Sequence, residues 1–239
     1  MKKILKNNNL ICILGSIHKS DVIIDFIPLW IQDNPNGEMI IFDPQGYVKN
    51  TFSNRTKYLI DHDEDFKWVD SLIDGYKGQR EIPKLLVLNG GDILFPKPNE
   101  DKIKEQSPEL KGTSRPRSHK KFQDLLVMKR ILNMDIIITF PTPDAIPIMV
   151  EYFVNNFIIL PILVEYTITQ KSPWYSNMKM CIEAIYYYHI NHSKNPYKEY
   201  VSISTERDEI VVNDAIDEKI FNEVIEKFKP IREKMSIEI

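Results

Sequence analysis

Leu10-Ile11-Cys12-Ile13-Leu14-Gly15-Ser16-Ile17-His18-Lys19-Ser20 is the stretch on which the fold turns. Its first five residues are continuously apolar rather than alternating, as a strand must be when both of its faces are covered. Gly15 breaks the run, and an apolar-rich, helix-like pattern begins at Val22. Four more runs of the same kind follow, at Met39 to Phe42, Leu85 to Leu88, Ile136 to Thr139 and Phe157 to Leu160. The segments between them are long enough for the crossover helices that parallel neighbours require. Phe122 to Leu132 is the clearest such helix, with Phe122, Leu125, Leu126, Ile131 and Leu132 spaced for one face. These runs predict an α/β fold, a three-layer sandwich around a mainly parallel sheet, over residues 1–165.

Residues 166–239 change in character and are expected to form a smaller, aromatic-rich C-terminal helical portion, able to pack as one domain with the first. Trp174, Tyr175 and the run Tyr186-Tyr187-Tyr188 read as packing or interface. A final helix is expected, capped by Asn213 or Asp214, with Ile216, Ile220, Val224 and Phe228 at four-residue spacing and Pro230 at its stop.

Composition narrows the class. Of 239 residues, 43% are hydrophobic and 27% charged, which excludes disorder, collagen-like repeats and supercharged tails. The net charge of −3 gives no global attraction to nucleic acid. Cys12 and Cys181 are the only cysteines, too few for a disulfide framework or a thiolate metal cluster, and a reducing compartment is expected. The apolar run behind the basic start is too short for a signal peptide. Asp135 to Tyr166 is the greasiest stretch, but Pro141, Pro143, Asp144, Pro147 and Glu151 interrupt it, whereas a membrane span needs about 20 mainly apolar residues. A soluble protein with no membrane span is expected.

Strand, turn, Lys19-Ser20 and helix is the order in which a phosphate-binding loop is built. Backbone N–H groups and a helix N-terminus cradle phosphate, the lysine reaches the β/γ-phosphates, and the serine holds Mg²⁺. The pattern G-x-x-x-x-G-K-[ST] is incomplete, because Ile13 and His18 stand where its glycines belong. The competing reading is a plain strand-to-helix turn with an exposed lysine.

Order along the chain extends the pattern. The second strand runs into Asp43-Pro44-Gln45-Gly46, the third into Asn89-Gly90-Gly91-Asp92, and the fourth into Thr139-Phe140-Pro141-Thr142-Pro143-Asp144. This succession, over roughly residues 10–160, resembles the HerA/FtsK-type P-loop ATPases, the DNA-pumping motors of conjugation and of some viral packaging systems. The resemblance implies a RecA-like P-loop NTPase fold, ATP with Mg²⁺ as cofactor, DNA as partner, and a homo-oligomer or association with a related ATPase. It implies nucleotide binding by Gly15, His18, Lys19 and Ser20, with Ser20 on Mg²⁺. It places Asn89 where the family has its acidic pair and Phe140 where it has a γ-phosphate-sensing glutamine, with Asp92 as a substitute acid and Asp43 positioning the loop through the turn at Gly46. Asn89 is further expected to finish the strand beside the one carrying Lys19. Because asparagine is no base and phenylalanine no hydrogen-bonding group, weakened or lost hydrolysis follows.

Pro96 to His119 reads as an excursion from the sheet edge, and the basic stretch Lys111 to Lys121 at its end, with Arg115, Arg117, Lys120 and Lys121, suits DNA phosphates or a neighbouring subunit's nucleotide. The bland alternative is a solvated loop. Asp61-His62-Asp63-Glu64-Asp65 reads as solvated, and His189 with His192 as structural, for want of further ligands. The function expected is a HerA/FtsK-like protein of a DNA-moving system, cytoplasmic or virion-associated. The alternative is a non-catalytic structural or interaction protein built on the same scaffold.

Overall fold

A computed structural model describes residues 9–60, 65–96, 117–168, 172–195 and 198–229. The strands are β1 (Leu10–Leu14), β2 (Glu38–Phe42), β3 (Thr56–Leu59), β4 (Lys84–Leu88), β5 (Met134–Phe140), β6 (Asn156–Ile159), β7 (Val201–Ser204) and β8 (Glu209–Val212). Among the described residues they form one sheet in the order β3-β2-β4-β5-β1-β6-β7-β8. β1 to β6 pair in parallel, and β7 and β8 extend the sheet antiparallel from β6.

Alternate residues of each central strand serve opposite cores, which is why the apolar runs are unbroken. Ile11 and Ile13 of β1 face helix α1 (Lys19–Asp33), packing among Val22, Ile23, Phe26, Ile27 and Trp30. Leu10, Cys12 and Leu14 face the other layer, built from α3 (Lys67–Tyr76), α5 (Arg117–Met128), α7 (Tyr175–His192) and α8 (Glu218–Phe228). Short helices α2 (Tyr47–Thr51), α4 (Gly91–Leu94) and α6 (Ile148–Glu151) follow β2, β4 and β5. The three-layer α/β sandwich with a mainly parallel sheet is therefore present, and α7 and α8 supply the helical C-terminal portion.

Several local expectations need correction. The helix expected over Phe122 to Leu132 spans Arg117–Met128 and closes in a turn, in which Ile131 N–H donates to the Met128 carbonyl, Asn133 takes the left-handed conformation and Met134 N–H donates back to the Lys129 carbonyl. Ile131 is consequently 57% exposed rather than on the buried face. Helix α8 is capped by Asp217, whose Oδ1 accepts from the N–H groups of Lys219 and Ile220, whereas Asn213 caps only the preceding turn through the N–H of Ala215. β3, β7 and β8 were not foreseen. The strands beside β1 are β5 and β6, not β4, so Asn89 follows the second strand away from the one that carries Lys19. Pro230 and the segments 61–64 and 97–116, with Arg115, lie outside the described residues.

Candidate nucleotide-binding site

A cavity of about 460 Å³ opens at the C-terminal ends of the parallel strands, where open α/β sheets bind ligands. The loop and first turn after β1, Ser16 to Asp21, form one wall. Asn89, Gly90, Asp92 and Ile93 after β4, Thr139 of β5, Gln45 and Tyr47 after β2, and Ile24 of α1 form the rest. Its size falls in the range that encloses a small ligand.

The loop owes its path to two positions. Gly15 sits so close to the chain after β6 that a Cβ there would lie 2.6 Å from Leu160 Cβ, and its N–H donates to the carbonyl of Phe140. His18 adopts the left-handed conformation, φ 61°, directly before α1, the conformation for which a phosphate-binding loop uses glycine. Its side chain turns aside to Asp21, with Nδ1 2.9 Å from Oδ2. Ile13, at the other glycine position, is a buried β1 residue facing α1 and lies outside the loop altogether.

Lys19 folds over the loop and donates from Nζ to the carbonyl of Gly15 at 2.6 Å. Burial lowers its pKa from the ordinary lysine value, opposed by the nearby charge of Asp92. Asp92 is exposed on the cavity wall. It reaches this place because Gly90, at φ 134°, bends the chain sharply after β4.

Ser20, Asn89, Asp43 and Thr139 form one polar cluster although they come from four segments. The amide nitrogen of Asn89 donates to Ser20 Oγ at 3.0 Å and to Asp43 Oδ1 at 3.0 Å. Thr139 Oγ1 donates to Asn89 Oδ1 at 3.2 Å and accepts from the N–H of Gly90 at 3.0 Å. Asp43 Oδ2 accepts from the N–H groups of Val48 and Lys49, at 2.7 and 3.1 Å, and the N–H of Gly46, in left-handed conformation, donates to the Asp43 carbonyl. Asp43 thus holds the turn at Gly46 and also touches the site. Thr139 was given no role by sequence reasoning, although it stands beside Phe140 in the stretch that carries the resemblance. Phe140 itself is fully buried, with its ring edge 2.6 Å from where a Gly91 Cβ would be, and does not line the cavity.

The basic residues divide. Arg117 opens α5, Lys120 is exposed, and Lys121 is tied to Asp70 of α3 at 2.5 Å. Of the remaining candidates, His189 Nδ1 lies 3.9 Å from the buried carboxylate of Glu199, and His192 packs against the rings of Tyr187 and Tyr188. No group of three or more metal-ligating side chains occurs among the described residues. Cys12 and Cys181 are both buried, and burial raises the Cys181 thiol to about 12 and the Cys12 thiol well above its usual range, which disfavours the thiolate at both. No described helix is long and apolar enough to cross a membrane.

The mainly parallel sheet and the loop after its β1 strand together define an α/β fold of the P-loop NTPase kind. Among solved structures, the genome packaging NTPase B204 from Sulfolobus turreted icosahedral virus 2, in complex with ATPγS, is similar at 12% identity and a TM-score of 0.55, over 88% of this chain and 100% of that one. The pCW3 conjugation coupling protein TcpA, with ATPγS, is similar at 13% identity and a TM-score of 0.55, over 92% of this chain and 65% of that one. EssC (ATPases 2 and 3) from Geobacillus thermodenitrificans is similar at 13% identity and a TM-score of 0.50, over 93% and 44%. No family model matches the sequence, and no curated protein matches it.

Proposed function

We propose that this chain is a HerA/FtsK-like P-loop protein of a DNA-moving system, of packaging or conjugation type, that binds a nucleoside triphosphate in the cavity and hydrolyses it weakly or not at all. The observation that carries this reading is the meeting of Ser20 with Asn89 at 3.0 Å, 69 residues apart in sequence, beside Lys19 at the mouth of α1. The similar structures include a DNA-packaging ATPase and a conjugation coupling protein, which supports the same class.

A polyphosphate suits the groups present. Lys19 needs only to leave a backbone carbonyl to neutralise phosphate charge, and the first turn of α1 presents N–H groups to it. Gly15 and His18 shape the loop around that space. Deprotonating an attacking water is another matter. Asn89 is neutral, and its carbonyl oxygen already accepts from Thr139. Phe140 is buried in the core. Asp92 is the acid left to act, and the attraction of Lys19 draws on the same charge. Arg115, Arg117 and Lys120 would contact DNA phosphates, and subunits would assemble so that these residues border a shared channel or a neighbour's cavity, in the cytoplasm or with a virion.

Titration of a fluorescent ATP analogue is the test. Lys19→Ala should weaken binding by at least about tenfold, the loss of one charge-assisted contact to phosphate. Duplex DNA should bind with salt-sensitive affinity, and Arg115→Ala with Arg117→Ala should flatten the log–log salt slope by about two. A chain that binds neither triphosphate nor DNA at low salt would be the non-catalytic interaction protein instead, for which the exposed side chains of Leu163, Val164 and Tyr186 offer a contact surface.

A further inference from the structure

The oxygens expected to attract a divalent cation in this cavity are already held by one nitrogen. Asn89 Nδ2 lies 3.0 Å from Ser20 Oγ and 3.0 Å from Asp43 Oδ1. A primary amide has two N–H bonds, so both are committed. The orientation of this amide is dictated by its neighbours. The Asp43 carboxylate is an acceptor when ionised and therefore demands the NH₂ end, while Thr139 Oγ1, which already accepts from the N–H of Gly90, has its proton left for the Asn89 carbonyl oxygen. The second oxygen of Asp43 is held by two backbone N–H groups, and the residue is only 8% exposed. Mg²⁺ requires an octahedral shell of oxygens at about 2.0–2.1 Å. A cation taking the remaining lone pair of Ser20 Oγ would lie against the positive end of the Asn89 amide, whose other N–H already occupies Asp43 Oδ1, and only a flip of that amide, at the cost of its contact with Thr139, would remove the conflict. The donor set therefore does not fit the cation, although the phosphate side of the cavity fits a nucleotide.

We infer that the Asn89 amide stands in for a divalent cation between Ser20 and Asp43, so that this cavity binds triphosphate without Mg²⁺. The nucleotide half of that statement rests on the proposed function, and the cation half does not. Its partial positive charge bridges carboxylate and hydroxyl as an ion would, but it carries no net charge to offer a phosphate. Asn89→Asp replaces the bridge by a second carboxylate facing Asp43, and like charges at that separation call for a cation between them.

The experiment uses the full metal-free chain. Mn²⁺ alone is titrated and followed by electron paramagnetic resonance, and triphosphate affinity is measured in EDTA and in Mg²⁺. The wild type should take up no Mn²⁺ at submillimolar concentration, and its triphosphate affinity should agree within about twofold between the two buffers. Asn89→Asp should gain one Mn²⁺ site and a rise in triphosphate affinity with Mg²⁺ of at least about tenfold, and Asp43→Asn in that background should remove both. A Mn²⁺ site in the wild type, a tenfold Mg²⁺ effect on its affinity, or a folded Asn89→Asp variant that takes up no Mn²⁺ would each overturn the inference. Failure of the wild type to bind triphosphate in either buffer would remove the proposed function, and the Mn²⁺ arm would still decide the cation claim. The wild-type measurements stand alone where Asn89→Asp does not fold.

Discussion

Gly90 and Gly91 carry more of this site than their lack of side chains suggests. Gly90, at φ 134°, turns the chain after β4 so that Asp92 reaches the cavity, while its N–H fixes Thr139 Oγ1. Gly91 lies against the core, and a methyl group there would meet Phe140 Cε1 at 2.6 Å and the carbonyl oxygen of Thr139 at 2.7 Å. The ring can tilt, but the strand carbonyl cannot move without shifting β5. Gly91→Ala should therefore cost about 1–3 kcal/mol in urea unfolding, the usual range for overpacking. The same substitution should also weaken triphosphate binding, since it pushes on the Thr139 and Gly90 contacts that hold Asn89. Unaltered stability would mean that this packing is looser than the distances imply.

At the scale of elements, the end of the sheet opposite the cavity holds a buried polar network. Asp135 at the start of β5 accepts from the N–H of Asn9 at 2.8 Å and from Trp30 Nε1 of α1 at 2.9 Å. Lys129, after α5, donates to Asn155 Oδ1, which also accepts from the N–H of Leu10, so three consecutive strands are tied together there. Burial, with Arg130 nearby, lowers Lys129 from 10.5 to about 8. Its folded pKa is thus below the unfolded one, and between those values the unfolded chain binds the extra proton. Stability from this group is lowest below about pH 8 and rises as pH increases toward 10.5. The raised Cys181 thiol acts in the opposite sense above its ordinary value of 9.0, so the difference between wild type and a variant isolates the lysine. Lys129→Met, which leaves Asn155 its contact with Leu10, should be relatively more stable at pH 7 and lose that advantage by pH 10.5 in denaturant titrations. A constant difference across that range would assign the cost to packing instead.

The whole molecule is organised around one sheet, and its C-terminal third is part of the same cores. β7 pairs with β6, and Met178, Cys181, Ile182 and Ile185 of α7 share a core with Leu10, Cys12 and Leu14. A fragment ending at residue 165 would uncover Phe157 and Ile159 and leave the β6 edge unpaired. The fragment should show no cooperative thermal transition by circular dichroism, whereas the full chain should melt in one step. Two separate transitions in the full chain would mark residues 1–165 as an independent unit.

Much of this was legible in the sequence because burial on both faces writes itself as unbroken apolar runs. The five runs from Leu10 to Leu160 match five of the six parallel strands among the described residues, and the Gly15 to Ser20 turn lies at the tip of β1. β3, β7 and β8 are short, and Glu209–Val212 alternates between exposed and half-buried, which leaves a weak signal; its turn also lacks glycine, with Asp208 taking the left-handed conformation. The end of α5 at Met128 was equally hidden, since Ile131 keeps the helical spacing while the backbone has already turned.

The residues alone determined that Lys19 and Ser20 follow a buried strand and precede a helix, and that an asparagine and a phenylalanine close the third and fourth apolar runs. Only the tertiary structure decided that β5 slips between β1 and β4, that Phe140 is turned inward, and that Asn89 joins Ser20 to Asp43. The physical reason is that strand identity is local, a matter of which side chains can be buried, whereas strand order and the partners of one amide depend on how distant segments close around a shared core.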